Sequence, residues 1–341
     1  MHKVFVIDYL VPKIRDGKTI RIGVHNGGFQ ADEVAALAIL MELIELLGGQ
    51  YEWQRVDRAD QETLDSMDVL LDVGREFDPR RGRFDHHQPG GTGYRWNRHE
   101  QLDVPFSACG LLWQACGLFL TGEADSPEQE PPGFSKVDWE LIRGIDNSDN
   151  GGIMPNGFGF KDARGRQHQV PGSAMHFSKI IGQFNADDGY ESLQQEENFR
   201  TALSVAQPII ATTIKVARKA VREKPLVFKA LQAAKNGIAV MPKGVRWQDH
   251  IFGAPGRYNV KVVLQPNGSG CGLTVLKWAN QSRPRAPQSW RGLEGDALQQ
   301  ASGLEGLVFC HNSGELLVAK DQATALKAAQ MLLHDIRHLA A

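Results

Sequence analysis

The stretch from residue 19 to 74 alternates strand and helix patterns, and that alternation restricts the fold more than any other feature. Residues 19–24 form a β-branched, apolar run that ends in a turn at His25-Asn26-Gly27-Gly28. Over residues 31–47 apolar side chains recur at helical spacing, at Val34, Leu37, Ala38, Met41, Ile44 and Leu47, until Gly48-Gly49 stops them. Residues 52–56 and 69–73 read as two further strands, the second carrying Asp72 inside an apolar run. Strands joined through helices build a mostly parallel sheet with helices on its faces. Ligands of such sheets bind beyond the carboxyl ends of the strands, where His25 and Asp72 both fall.

Further along, helices are expected over residues 107–120 and 139–149, with a Pro- and Glu-rich loop at 122–137 between them. A long helical region over 187–223 is expected to break or kink at Pro208. The pattern then changes to strands at 238–241, 258–265, 271–278 and 306–311, with a hairpin at 266–270 and a closing helix over 321–338. The expected fold class is thus α/β. An N-terminal lobe, 1–224, includes a helical connector from about residue 187, and a smaller α+β lobe fills 225–341.

At 341 residues the chain has room for about two domains. The net charge of −2 conceals an asymmetry: residues 215–291 hold 15 Lys and Arg against two acids, Glu223 and Asp249. That segment carries +13 and the remainder −15. One part suits a polyanion such as nucleic acid, or is a solvated face; the other suits a cation. No run of eighteen apolar residues exists, so no membrane span is expected. The four cysteines form no C-x-x-C pair, and with no export signal a reducing cytoplasm is the expected compartment.

Four polar clusters carry the chemistry. They are His25 to Glu33, Asp72, Asp85-His86-His87, and Asp146 to Gly151 with Asp149 inside it. Each alone has a plain structural explanation, such as a helix end, a turn or a hydrogen-bonded edge. Together, oxygen and imidazole donors without sulfur suit Mn²⁺ or Mg²⁺, and a pair of such ions is a standard device for phosphoester hydrolysis. In the basic segment, Arg283-Pro284-Arg285 sets two guanidiniums on a stiff turn suited to a terminal phosphate. His311 and Ser313 follow a strand end; Trp247 and Trp290 stack a base or, the more frequent use, fill a core.

The ordered set IGVHNGGFQADE, LLDVGREFDPRRGRFDHHQ, FSACGLLWQACG, IRGIDNSDNGG, RWQDHIF, RPRAPQSWRGLEGDAL and SGLEGLVFCHNSG resembles the melanocyte-proliferating-gene family of the DHH phosphoesterase superfamily. The resemblance runs from about residue 20 to the C-terminus. It implies a metal-dependent phosphodiesterase, of exonuclease type, with a binuclear site that usually holds Mn²⁺. By motif, His25, Asp32, Asp72 and His86 would be ligands, with Asp72 bridging, and Asp146 or Asp149 would complete the set. Asp85 would fix an imidazole, and His87 would orient the site or the substrate. The implied substrate is single-stranded RNA or a short oligonucleotide, held by Arg283, Arg285, His311 and Ser313, and nothing bars an oligomer. One departure stands out: Gln30 occupies a position where the family has His, which weakens that ligand and leaves one or two ions, of Mn²⁺ or Mg²⁺, in view. Two other functions are therefore kept open, a small-molecule nucleotide phosphohydrolase and a non-enzymatic RNA-binding pseudoenzyme.

Overall fold

In a computed structural model, residues 1–96, 102–128, 131–151, 159–161, 167–169, 176–185, 193–251, 259–268, 270–276 and 285–339 are described. The chain divides into two compact units, Met1–Val221 and Arg222–Ala341.

The first unit opens with a helical segment, Lys3–Leu10, that runs into α1 (Val11–Arg15). Strand β1 (Thr19–His25) leads through the glycine turn into α2 (Ala31–Leu46), then β2 (Gln50–Val56), α3 (Gln61–Ser66) and β3 (Val69–Leu71). Two short strands, β4 (Phe77–Asp78) and β5 (Arg83–Phe84), complete a sheet of order β2-β1-β3-β5-β4. All neighbours in it are parallel except β4 against β5. The carboxyl ends of β1, β3 and β5 therefore share one edge, which is what brings His25, Asp72 and Asp85 together.

Helix α2 is buried nearly all round, from Ala31 through Ile44. A helix apolar on every side needs partners on every side. It finds them in β1, β2 and β3 and in the helices α4 (Ala108–Thr121), α6 (Arg143–Asp149) and α7 (Phe177–Gly182). Between these lie β6 (Tyr94–Trp96), β7 (Leu102–Pro105), α5 (Pro132–Val137), a further helical turn Asp138–Ile142, and the pair β8 (Gly159–Lys161) and β9 (Gln167–Gln169).

Helix α8 (Leu193–Gln232) is continuous over 40 residues. The break expected at Pro208 is absent. A proline removes one hydrogen bond of the ladder, but the stripe Phe199, Ala202, Leu203, Ala206, Ile210, Ile214 and Ala217 is buried in the first core, and the helix runs on without a break. The boundary between the units falls inside this helix, and Val227, Ala230 and Leu231 belong to a core of the second unit.

That second unit contains β10 (Ile238–Val240), α9 (Gln248–Ile251), β11 (Val262–Asn267), β12 (Gly270–Val275), α10 (Gly295–Ser302), β13 (Leu307–Cys310), β14 (Leu316–Ala319) and α11 (Gln322–Leu339). Its sheet order is β10-β11-β12-β14-β13, antiparallel except where β10 meets β11. Sequence reading misses β14, over Leu316–Ala319, and misses α5 inside the supposed loop at 122–137. Among the described residues no helix is long and apolar enough to cross a membrane.

The turn before β5 is tight. Gly82 has φ +68° and a Cβ there would lie 2.5 Å from the Asp68 carbonyl oxygen. We expect Gly82→Ala to lose more than the roughly 1–2 kcal/mol of a left-handed residue, because the backbone must also yield. Urea denaturation checks this, and an unchanged midpoint would contradict it.

Candidate metal centre

Asp72 sits just past the end of β3, not within it, at φ +57° with its N–H donated to the Phe84 carbonyl at 3.0 Å. Aspartate is among the few side chains that tolerate this region, and the conformation turns its carboxylate out of the strand line. Its neighbours come from four other places. His25 ends β1, and Asp32 and Glu33 occupy the first turn of α2. His86 and His87 follow β5, and Asp149 is the last residue of α6. Three sets of donor atoms lie within 4.8 Å of one another: His25, Glu33 and Asp72; Asp32, His86 and Asp149; Asp72, His86 and His87. His86 Nε2 is 3.4 Å from Asp72 Oδ1 and 3.2 Å from Asp149 Oδ2. His25, Glu33, Asp72, His87 and Asp149 border a cavity of about 320 Å³ that Gln30, Arg58, Arg75 and Asp85 also line.

Backbone amides fix the carboxylates. Ala108 N–H, at the start of α4, donates to Asp32 Oδ2 at 2.9 Å. The Gln30 N–H donates to both Glu33 oxygens, at 3.0 and 2.9 Å, as part of a capping box that closes α2. Asp85 accepts from Arg75 N–H at 2.6 Å, from His87 N–H at 2.9 Å, and from the His87 ring at Nδ1, 2.8 Å away. The ring is thereby held through Nδ1, as expected for an acid that fixes an imidazole.

The electrostatics follow from crowding. Burial pushes the Asp72 carboxyl up to about 8, with repulsion from Asp149 and Asp85 opposing the pull of His87. Burial and then Asp72 raise Asp32 to about 7, and burial and then Asp32 raise Asp149 to about 7. Glu33 is driven well above its usual range by burial, Asp72 and Asp32. Burial, helped by Arg58 and Arg55, lowers His25 to about 4. Asp85 behaves oppositely: burial opposes its ionisation, but the bonds from His87 and Arg75 outweigh it and hold the group at about 2. Its bond in turn raises His87 to about 9.

The residues fit a divalent cation. Asp32 Oδ1, Asp72 Oδ1 and His86 Nε2 are buried without a hydrogen-bond partner, and buried polar atoms are rarely left so. Oxygen and neutral imidazole donors of this kind suit Mn²⁺ or Mg²⁺.

Asp146 and Asp149 have different surroundings. Asp146 accepts from Ser107 Oγ at 2.6 Å and from Gly110 N–H at 3.0 Å, and its other oxygen pairs with buried Arg95. Gly110 leaves room for this: a Cβ there would overlap the Asp146 carboxylate. Asp149 turns instead to His86. Gln30 is exposed at the helix cap and lines the cavity. Glu33, to which the motif assigns no role, also lines the cavity; two acids side by side at a helix start are its signal. Arg75 reads from sequence only as a possible ion-pair partner of Asp72, and Arg58 gives no signal.

In the second unit, Arg285 pairs with Glu315 at 3.0 Å, and Arg283 lies outside the described residues. The Ser313 hydroxyl and N–H meet His311 Nδ1, at 2.9 and 3.1 Å. Trp247 and Trp290 are core residues, so the plainer reading of them holds.

An Asp-His-His run thus follows a parallel strand, with acids from two helices and a second strand around it. Residues 21–333 match the family model described as MYG1_exonuc, uncharacterised protein family UPF0160. The chain belongs to that family. The human MYG1 exonuclease is 26% identical, covering 92% of this chain and 85% of its own. The MYG1 protein of Chlamydia trachomatis is 24% identical, covering 93% and 97%. Among solved structures, RecJ of Thermus thermophilus in complex with Mn²⁺ aligns over 98% of this chain and 55% of its own, at 17% identity and a TM-score of 0.28. An overlay that loose carries no inference for this site.

Removing one of the crowded charges relieves the metal-free protein. Asp149→Asn is expected to raise its Tm in chelator by about 2–4 °C, the shift that ~1 kcal/mol gives in a unit of this size. Added Mn²⁺ is expected to raise the Tm of the unaltered chain, and the same variant should lose that increase. A Tm lowered in chelator would contradict the repulsion described.

Proposed function

We propose that this chain, a metal-dependent hydrolase of the nuclease type, cuts phosphodiester bonds from an end of single-stranded RNA or a short oligonucleotide, with two Mn²⁺ ions bound side by side. The observation that carries the reading is the pair of neighbouring donor sets, His25/Glu33/Asp72 and Asp32/His86/Asp149, with Asp72 reaching His86 as well. In the proposed assignment His25, Glu33 and Asp72 would hold one ion, and Asp32, His86 and Asp149 the other. Asp146, bound to Arg95, Ser107 and α4, supports α6 from behind. Bound there, such ions would activate water and neutralise the charge that builds on the phosphate.

The protein's own groups supply the rest. Arg58 and Arg75 line the same cavity, with Arg58 Nη2 2.8 Å from His25 Nε2, and their guanidiniums would be available to phosphate oxygens. His87, about half exposed and held through Nδ1, keeps Nε2 for the substrate. As an imidazolium stabilised by Asp85 it is placed to give a proton to the departing oxygen. Glu33 supplies a carboxylate next to Gln30, so the loss of the family's histidine does not empty that side of the pocket. Arg283, Arg285, His311 and Ser313 of the second unit are proposed to hold the nucleic acid, and the cytoplasm is the proposed compartment.

Asp72→Ala is expected to abolish Mn²⁺-dependent shortening of end-labelled RNA while leaving a folded protein. Turnover at the unaltered rate would overturn the proposal. A second variant, Gln30→His, should tighten Mn²⁺ binding by calorimetry, since imidazole is the better donor; equal affinity would count against a role for that position.

A further inference from the structure

The loop from His25 to Gln30 must deliver His25 and Glu33 to the cavity, yet it contains two glycines and turns through φ +84° at Gly27. Such a segment has little stiffness of its own. Its backbone is instead gripped from outside. Arg55, on β2, donates Nε to the His25 carbonyl at 3.1 Å and Nη2 to the Gly27 carbonyl at 2.7 Å. Gln195, in the first turn of α8, donates Nε2 to the same Gly27 carbonyl at 3.1 Å. Asn185 brackets Phe29: its Oδ1 accepts the Phe29 N–H at 2.9 Å and its Nδ2 donates to the Phe29 carbonyl at 2.8 Å. Gln195 Nε2 also donates to Asn185 Oδ1 at 2.7 Å, which joins the two amides into one network.

The network is built into the core. Gln195 is 1% exposed. The Arg55 guanidinium lies over the rings of Phe199, at 4.6 Å, and Phe29, at 5.6 Å. None of Arg55, Asn185 and Gln195 lines the cavity; the two amides reach it through the loop, and Arg55 adds its charge beside His25. Phe29 is followed by Gln30, whose N–H holds the Glu33 carboxylate. A displaced Phe29 therefore moves both a cavity wall and an acid.

We propose that Asn185 and Gln195, with Arg55, are positioning residues that hold the His25–Gln30 loop in the shape required for cation binding. The inference rests on the cation reading of the pocket given above. Partners one shell removed from a metal commonly change its affinity by about 10–100-fold, and residues of one hydrogen-bond network couple rather than add.

The test is Mn²⁺ calorimetry on the full chain. Asn185→Ala and Gln195→Ala should each weaken Mn²⁺ binding by about tenfold or more. The double variant should lose less than the product of the two. Arg200→Ala serves as control: Arg200 is on the same helix, pairs with Glu196 and covers Trp53, and should leave affinity unchanged. A lowered Tm with unaltered affinity in the Asn185 and Gln195 variants would overturn the proposal, because it would reduce them to core filling. If Asn185→Ala does not fold, Gln195→Ala decides. If the unaltered chain binds no Mn²⁺, the cation reading fails, and amide exchange at Phe29 judges the clamp separately. Protection in the parent that is lost in the variants supports the clamp, and equal exchange rejects it.

Discussion

Mutual repulsion among buried carboxylates is the constraint around which the N-terminal unit is arranged. Asp32, Glu33, Asp72 and Asp149 share one region, and the groups that bond Asp32 and Glu33 are backbone amides rather than neutralising cations. Burial alone disfavours the charged form of each, and proximity disfavours it further. An arrangement of this kind costs stability unless a cation offsets it. Sites that break a rule of folding in this way are characteristic of function.

Holding such groups together takes a rigid frame. Helix α2 is enclosed on all sides, so the first-turn acids have no freedom to rotate away. The N-terminus of α4 reaches two helices at once, with Ala108 N–H on Asp32 of α2 and Gly110 N–H on Asp146 of α6. A helix N-terminus favours negative charge, so α4 anchors both acids from the core side. Arg95 completes the anchor by pairing with Asp146 and Asp138. One turn further along α6, Asp149 is left to face His86.

Much of the fold was legible in the chain. The parallel arrangement of β1, β2 and β3 around α2 follows from the alternation of β-branched runs with a helical stripe, and it holds. Asp72 was legible as an anomaly, though it lies past the strand and not inside it, because its left-handed backbone ends β3 two residues earlier than the apolar run suggests. Pro208 misled, since local propensity weighs less than the buried stripe of α8. Strand β14 was missed because its pairing with β12 and β13 is a long-range property that no local pattern advertises.

The types of group in the site, and the strand ends that carry them, were set by the sequence, since a motif fixes residue identity and a strand or helix fixes local direction. Which acid faces the cavity was not. Asp146 and Asp149 are three apart on one helix, and only the approach of Ser107 and Arg95, brought near by the folding of α4 and β6, separates their roles. The same holds for Asn185 and Gln195, which lie 156 and 168 residues from the loop positions they grip. Contacts of that span arise from how packed elements meet in space, and the order of residues along the chain carries no record of them.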